Sequence, residues 1–229
     1  MPSALRAALF DVDFTLCRPG PELTAERYAR VATRHGVEID ASRYEAARTA
    51  AALNIKRHPE LLHDEDVWHV FTAEVFVGMG GPAEIASACA TEIEQGWAVS
   101  ENFELYEDVL PVLDDLRVHG LRLGLVSNGI RDLAEFVVHH RLEVEAIVDS
   151  RTHGRVKPHP SIFEAALARL EVGPDEAVMI GDSLTEDVEG ARALGMKAIL
   201  VDRDDRHPEV EDRLTDLYGL PAALGLPRP

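Results

Sequence analysis

The sequence is poor in cysteine, poor in basic residues and without a long apolar run. Only Cys17 and Cys89 occur among 229 residues, too few for a disulfide framework, so a reducing cytoplasm is the expected setting. Cys17 sits near an aspartate pair, but a lone thiol becomes a nucleophile only beside an activating neighbour, and it reads as a bystander. No stretch is long and apolar enough to span a bilayer, and Met1-Pro2-Ser3 opens no signal-peptide pattern. Lysine and arginine number 23 against 41 acidic residues, a net charge of −18. Such a surface speaks against nucleic acid and anionic membranes as partners, and its plainest reading is solubility. An anionic small molecule would need local help from a metal, backbone amides or a few cations. The ten histidines lack ligand spacing: neither His63 with His69 nor His139 with His140 shares a helix face. Internal repeats and low-complexity tracts are absent.

What is there suffices for one sizeable core, or a core carrying an insert, since 46% of the residues are hydrophobic. A strand is predicted over residues 6–10, followed by a break at Arg18-Pro19-Gly20-Pro21. Helical periodicity then predicts helices over 25–35, 41–54, 65–77 and 83–99, with Asp40, Asp64 and Pro82 at their starts and glycines at their ends. Trp68, Phe71 and Val75, and likewise Ile85, Cys89 and Ile93, recur at helical spacing and read as the packing of this region. After Glu107 the pattern alternates. Helices are predicted over 109–119, 130–140, 160–170 and 184–194, and strands over 121–126, 146–148, 177–180 and 197–201. Alternation of this kind builds an α/β fold with a parallel sheet and right-handed crossovers. The tail beyond Arg203 has no predicted structure.

Four polar motifs fall where predicted strands end, the edge at which open parallel sheets bind ligands. Asp11 ends the first strand, placed for covalent attack or metal binding, and Asp13 follows on a loop where it could shuttle a proton. Either alone could simply cap backbone amides. Ser127-Asn128-Gly129 offers a hydroxyl and free amides at a helix start, an anion site or an ordinary turn. Lys157, before Pro158, could neutralise a phosphate or a carboxylate, or lie on the surface. Gly181-Asp182 and Asp187 open the last helix; Asp182 suits Mg2+, which takes one or two carboxylates plus phosphate oxygen and water, and Asp187 could orient Lys157 or Asp182. Glu186 and Glu189 read only as acidic residues favoured in a first helical turn, worth about 0.3–1 kcal/mol. Lys56 and Arg57 form a basic knot in the helical region, read either as substrate contacts or as complements to a helix C-terminus.

In this order, Asp-x-Asp-x-Thr, Ser-Asn-Gly, Lys-Pro and Gly-Asp-x4-Asp resemble the haloacid dehalogenase (HAD) superfamily in its phosphatase branch. The resemblance implies a Rossmann-like core with a parallel sheet and an inserted α-helical cap domain, the core at 1–16 and 104–229 and the cap at 17–103. It implies a hydrolase of a small phosphorylated metabolite, with Asp11 forming an aspartyl-phosphate and Asp13 serving as general acid, then base. Ser127 and Asn128 would bind the phosphoryl group, Lys157 would offset charge, and Asp187 would support. Mg2+ would sit on Asp11, Asp182 and the backbone carbonyl of Asp13. Two positions depart from the family pattern: Phe14 stands where glycine is common, and Glu186 where asparagine is frequent. A 2-haloacid dehalogenase shares the nucleophile and cap but typically lacks the second aspartate, which Asp13 supplies here. A sugar phosphomutase keeps every motif. A non-catalytic scaffold would be expected to have lost Asp11 or Asp13. Monomer and homodimer stand equal.

Overall fold

Four fully buried residues, Ala7–Phe10, make β1, apolar on both faces as the centre of a parallel sheet requires. A computed structural model describes residues 4–227; Met1-Pro2-Ser3 lies outside them. After β1 come β2 (Cys17–Pro19), α1 (Ala25–Arg34), α2 (Tyr44–Leu53), α3 (Asp66–Gly78), α4 (Ala83–Trp97) and β3 (Phe103–Leu105). The alternating series follows: α5 (Val109–Val118), β4 (Arg122–Ser127), α6 (Leu133–His140), β5 (Ala146–Asp149), α7 (Ser150–His153), α8 (Pro160–Arg169), β6 (Ala177–Gly181), α9 (Gly190–Ala193) and β7 (Lys197–Val201). The tail adds β8 (Arg213–Leu214) and α10 (Leu220–Ala223).

The chain divides into two units. One comprises Met1–Arg18, Leu105–Gly129 and Leu133–Pro229; the other comprises Pro19–Glu104 with Ile130–Asp132. The first unit is built on a six-stranded sheet in the order β5-β4-β1-β6-β7-β8, and every pairing in it is parallel. Strand order therefore reverses around β1, with β4 on one side and β6 on the other. That reversal opens a crevice at the carboxyl ends of these three strands. Leu9, Val126, Met179 and Leu200 from the strands pack with Ile162, Phe163 and Leu170 from the α8 region to form its core. Gly124 is needed in β4, because a Cβ there would lie 2.7 Å from a methyl of Leu9.

In the second unit α3 packs on α2 and α4. Its core gathers Tyr28 and Val31 from α1, Val75 and Phe76 from α3, and Cys89 and Ile93 from α4. Asp40 and Asp64 act at helix starts as their positions suggest: each carboxylate accepts from a backbone N–H two residues on, at 3.0 Å. No helix among the described residues is long and apolar enough to cross a membrane.

Several elements differ from the sequence expectation. β2 and β3, three residues each, pair as a separate two-stranded sheet; only their first residues are buried, so neither carries an apolar pattern. The helix expected over 130–140 starts at Leu133, because Arg131 is buried with its guanidinium 3.5 Å above the Phe103 ring. The helix expected over 184–194 begins as a wide π turn, Leu184–Glu189, before α9. Such turns redirect side chains and recur at functional sites.

Candidate active site

Asp11 extends β1 by one residue. Its N–H donates to Ile180 O at 2.9 Å, so the sheet itself fixes where the side chain stands. Asp11 Oδ1 accepts from Lys157 Nζ at 2.5 Å. The same ammonium donates to Asp187 Oδ1 at 2.6 Å and to Val126 O at 2.8 Å, which uses all three of its protons. Lys157 is 1% exposed and Asp187 1%. Sequence reading left Lys157 open between a surface residue and a charge partner; it is a fully buried bridge between two carboxylates.

Asn128 holds Lys157 in place. Its side-chain oxygen accepts from Lys157 N at 2.8 Å, and its amide nitrogen donates to Lys157 O at 3.1 Å and Glu186 Oε2 at 2.8 Å. Glu186, read from sequence only as a helix-start charge, is thus tied to the loop after β4. Ser127 ends β4, and its Oγ accepts from Gly129 N at 3.2 Å. A Cβ at Gly129 would lie 3.3 Å from Asp13 Oδ2 and 3.4 Å from Ser127 Oγ. The second aspartate and the serine therefore flank one glycine, which keeps the space between them open. Asp13 Oδ1 also receives Cys17 Sγ at 3.8 Å.

The π turn aims Asp187 back toward β6. Its Oδ2 accepts from Ser183 N at 3.0 Å. Gly181 is obligatory here, since a Cβ would fall 2.2 Å from that same oxygen. Asp182 is less enclosed and meets Arg206 at 3.4 Å. Carboxylate oxygens of Asp11, Asp182 and Asp187 all lie within 4.8 Å of one another. Of the expected metal set Asp11, Asp13 and Asp182, in which Asp13 contributes its backbone carbonyl, the side chains of Asp11 and Asp182 lie together, and among the described residues Asp187 joins them.

Crowding sets the electrostatics. Burial raises the Asp11 carboxyl well above its ordinary value; Lys157 pulls it down, and Asp187, Asp182 and Asp13 push it further up. Burial likewise raises Asp187 against the pull of Lys157. Asp182 is pushed up to about 7 by burial and by Asp187, with Arg206 opposing. For Lys157, burial works toward the neutral amine, but Asp11 and Asp187 outweigh it and hold it charged. Two carboxylates thus share a single buried ammonium, and a third, Asp182, stands within 4.8 Å of both while pairing with Arg206. The excess negative charge and all-oxygen donor set fit a small hard cation such as Mg2+.

In the helical unit, the Arg57 guanidinium lies over the ring of Trp68, in the first turn of α3, 5.6 Å from its centre. Lys56 is exposed.

A parallel sheet whose order reverses beside a buried Asp–Lys–Asp bridge is a recognisable architecture. Residues 5–195 match the model of the haloacid dehalogenase-like hydrolase family. The glyceraldehyde 3-phosphate phosphatase of Methanopyrus kandleri is 31% identical over 93% of this chain and 91% of its own. The phosphoserine phosphatase of Thermus thermophilus is 35% identical, over 60% of this chain and 55% of its own. Among solved structures, a HAD phosphatase from Thermococcus onnurineus superposes with a TM-score of 0.68 at 28% identity, over 98% of this chain and all of its own. The chain belongs to the haloacid dehalogenase-like hydrolases and is an enzyme of their phosphatase branch.

Proposed function

We propose that the protein is a cytoplasmic, Mg2+-dependent phosphomonoester hydrolase, acting on a small phosphorylated metabolite through an aspartyl-phosphate on Asp11. The observation that carries this is the Lys157 bridge, with Nζ at 2.5 Å from Asp11 and 2.6 Å from Asp187. It orients Asp11 by one oxygen and leaves Oδ2 for reaction. Residues 17–103 serve as the cap, and residues 1–16 with 104–229 as the catalytic core.

Asp11 Oδ2 attacks phosphorus, the bond to the leaving oxygen breaks, and Asp13 gives that oxygen its proton. Water then attacks the aspartyl-phosphate, Asp13 takes a proton from it, and phosphate departs with the Asp11 carboxylate restored. Ser127 Oγ and the main-chain amides after β4 hold the phosphoryl oxygens, with Asn128 setting the loop. Asp187 keeps Lys157 aimed at Asp11. Asp11, Asp182 and the Asp13 carbonyl would hold Mg2+, which would supply the positive charge that lets a carboxylate approach a phosphate dianion.

Two relatives act on small phosphomonoesters, glyceraldehyde 3-phosphate and phosphoserine. A substrate panel therefore starts there. Phosphate release from these compounds and from p-nitrophenyl phosphate is expected from wild type with Mg2+, falling to background with EDTA or in Asp11→Asn. Equal rates in the two proteins would overturn the assignment. Incubation with hexose 1-phosphates, scored for isomer against free phosphate, separates a hydrolase from a mutase.

A further inference from the structure

The loop after β7 carries two arginines, and the fold holds them differently. Arg203 is tied down. Its guanidinium donates to both oxygens of the buried Asp108, at 2.9 and 3.0 Å, and lies 3.7 Å from the centre of the Tyr106 ring. Arg206 has a fixed root and a loose tip. Its side chain is 51% exposed, and it meets Asp182 with Nη2 at 3.4 Å from Oδ2. A contact of that length between groups open to water is weak.

Asp202, 1% exposed, sets the root. Its Oδ1 accepts from Arg206 N and its Oδ2 from His207 N, both at 2.8 Å, and Arg213 Nη1 on β8 stands 3.2 Å from that Oδ2. Asp205 turns the chain with a left-handed φ of 55°, and its N–H donates to Asp202 O at 3.2 Å. β6 and β7 pair as neighbours, so this loop emerges beside the one that bears Asp182. All of these residues belong to the sheet-bearing unit. With the backbone closed on a buried carboxylate, the Arg206 side chain is the part left to move. Asp182 is also the carboxylate that suits a divalent cation, in the cluster with Asp11 and Asp187. A dication on that carboxylate and a guanidinium against it are like charges at close range, and they repel.

Resting on the reading of Asp182 as a metal ligand, we infer that Arg206 is a tethered competitor of the divalent cation. Its guanidinium and Mg2+ contend for the Asp182 carboxylate, and the cation binds by turning that side chain out to water. The fixed root keeps the guanidinium at high local concentration beside Asp182, and the loose tip keeps the competition weak enough for the cation to win. Arg206 so lowers the affinity of the site for Mg2+ without touching the reacting atoms.

The test is Mg2+ binding to EDTA-treated protein, read by calorimetry and by the rise in Tm with Mg2+ concentration. Arg206→Gln is expected to tighten Mg2+ binding by about threefold to fivefold, the scale of an exposed ion pair. Arg192→Gln removes a positive charge elsewhere in the same unit, where Arg192 pairs with Asp212 at 2.9 Å. That control should stay within about twofold of wild type. Asp182→Asn separates contact from general field: in its background, Arg206→Gln is expected to change Mg2+ affinity by less than about twofold. Unchanged affinity in Arg206→Gln, or equal tightening with and without the Asp182 carboxylate, overturns the inference while leaving the metal site standing. A wild type that binds no Mg2+ by either readout, with Asp182→Asn no different, sinks the metal reading and the inference with it.

Discussion

The two units of this chain treat charge differently. In the sheet-bearing unit, Asp11, Lys157 and Asp187 are 7, 1 and 1% exposed, and Asp108 and Asp202 are 3 and 1%. Across the helical unit, Pro19–Glu104 with Ile130–Asp132, the polar residues buried among those described are, tyrosines aside, Thr72, Ser100 and Arg131, and of these Arg131 alone is charged. Its core is a packing of Tyr28, Val31, Val75, Phe76, Cys89 and Ile93, and its ion pairs lie at the surface, such as Arg34 with Glu92. Taking an ion out of water costs several kcal/mol unless partners compensate. A fold accepts that cost where it needs a preorganised field, and the ends of β1, β4 and β6 are where it is accepted.

The sharpest way to break this contrast is to remove one lysine from each unit. Lys157→Met leaves Asp11 and Asp187 facing each other without their shared cation. It is expected to cost about 3–5 kcal/mol in urea denaturation and about 10²–10³-fold in kcat. Lys56→Met, at an exposed position, should stay within about 0.5 kcal/mol. Comparable losses from the two would mean that burial of charge does not distinguish the units.

A pair of glycines makes the next comparison. In Gly181→Ala the new methyl meets Asp187 at 2.2 Å, so stability drops by about 1–3 kcal/mol and kcat drops with it as Asp187 is displaced. In Gly78→Ala the methyl meets the Ala47 methyl at 2.6 Å. That clash is partly offset by alanine's helix propensity in α3, and kcat is expected to hold. Thermal melts and steady-state kinetics on both variants read the two effects separately.

Protonation offers a third comparison, within the charged cluster alone. Asp182 stands at about 7 in the folded protein against an ordinary value of 3.8. Between those values the native chain holds a proton that the unfolded chain has released. The metal-free protein therefore loses stability from this group as pH rises toward about 7, and is level above it. A divalent cation needs the carboxylate, so it competes with that proton. The rise in Tm on adding Mg2+ is expected to be larger at about pH 8 than at about pH 6; an equal shift would remove Asp182 from the metal site.

The contrast was partly legible in the sequence. β1, β6 and β7 are bounded apolar runs, and the helical region kept its 3.6-residue period, so the architecture could be read from pattern. The motif residues Asp11, Ser127, Asp182 and Asp187 could be singled out because each sits just after an apolar run or in the turn that follows, whereas Lys157 stood out only by its place before Pro158. Spacing does not encode which partner a side chain will find across the fold. Lys157 looked like any lysine before a proline until its burial was seen. Glu186 looked like a helix-start charge until Asn128 met it. Arg203 lies in a charged stretch with Asp202, Asp204, Asp205 and Arg206, where composition reads as a solvated face. Its stack on Tyr106 joins residues nearly a hundred positions apart. β2, β3 and β8 were invisible because two or three residues are too short to show alternation.

The smallest expected effect asks whether backbone strain, unlike charge, is shared by both units. Phe14 and Leu61 both have positive φ, 63° and 53°, one in the loop after Asp13 and one ahead of α3. A left-handed conformation costs an L residue about 1–2 kcal/mol, and glycine escapes it at about 0.5–1 kcal/mol of chain entropy. Comparing X→Gly with X→Ala at each site removes the ring or isobutyl group in both members and leaves the backbone term. Glycine should exceed alanine by about 0.5–1 kcal/mol at position 14 and by a similar margin at position 61, read from urea midpoints. If glycine helps at 61 but not at 14, the Asp13 loop is held by its tertiary bonds in a geometry that its own φ does not govern. The strain at Phe14 would then belong with the buried charges, as a property of the site rather than of the chain.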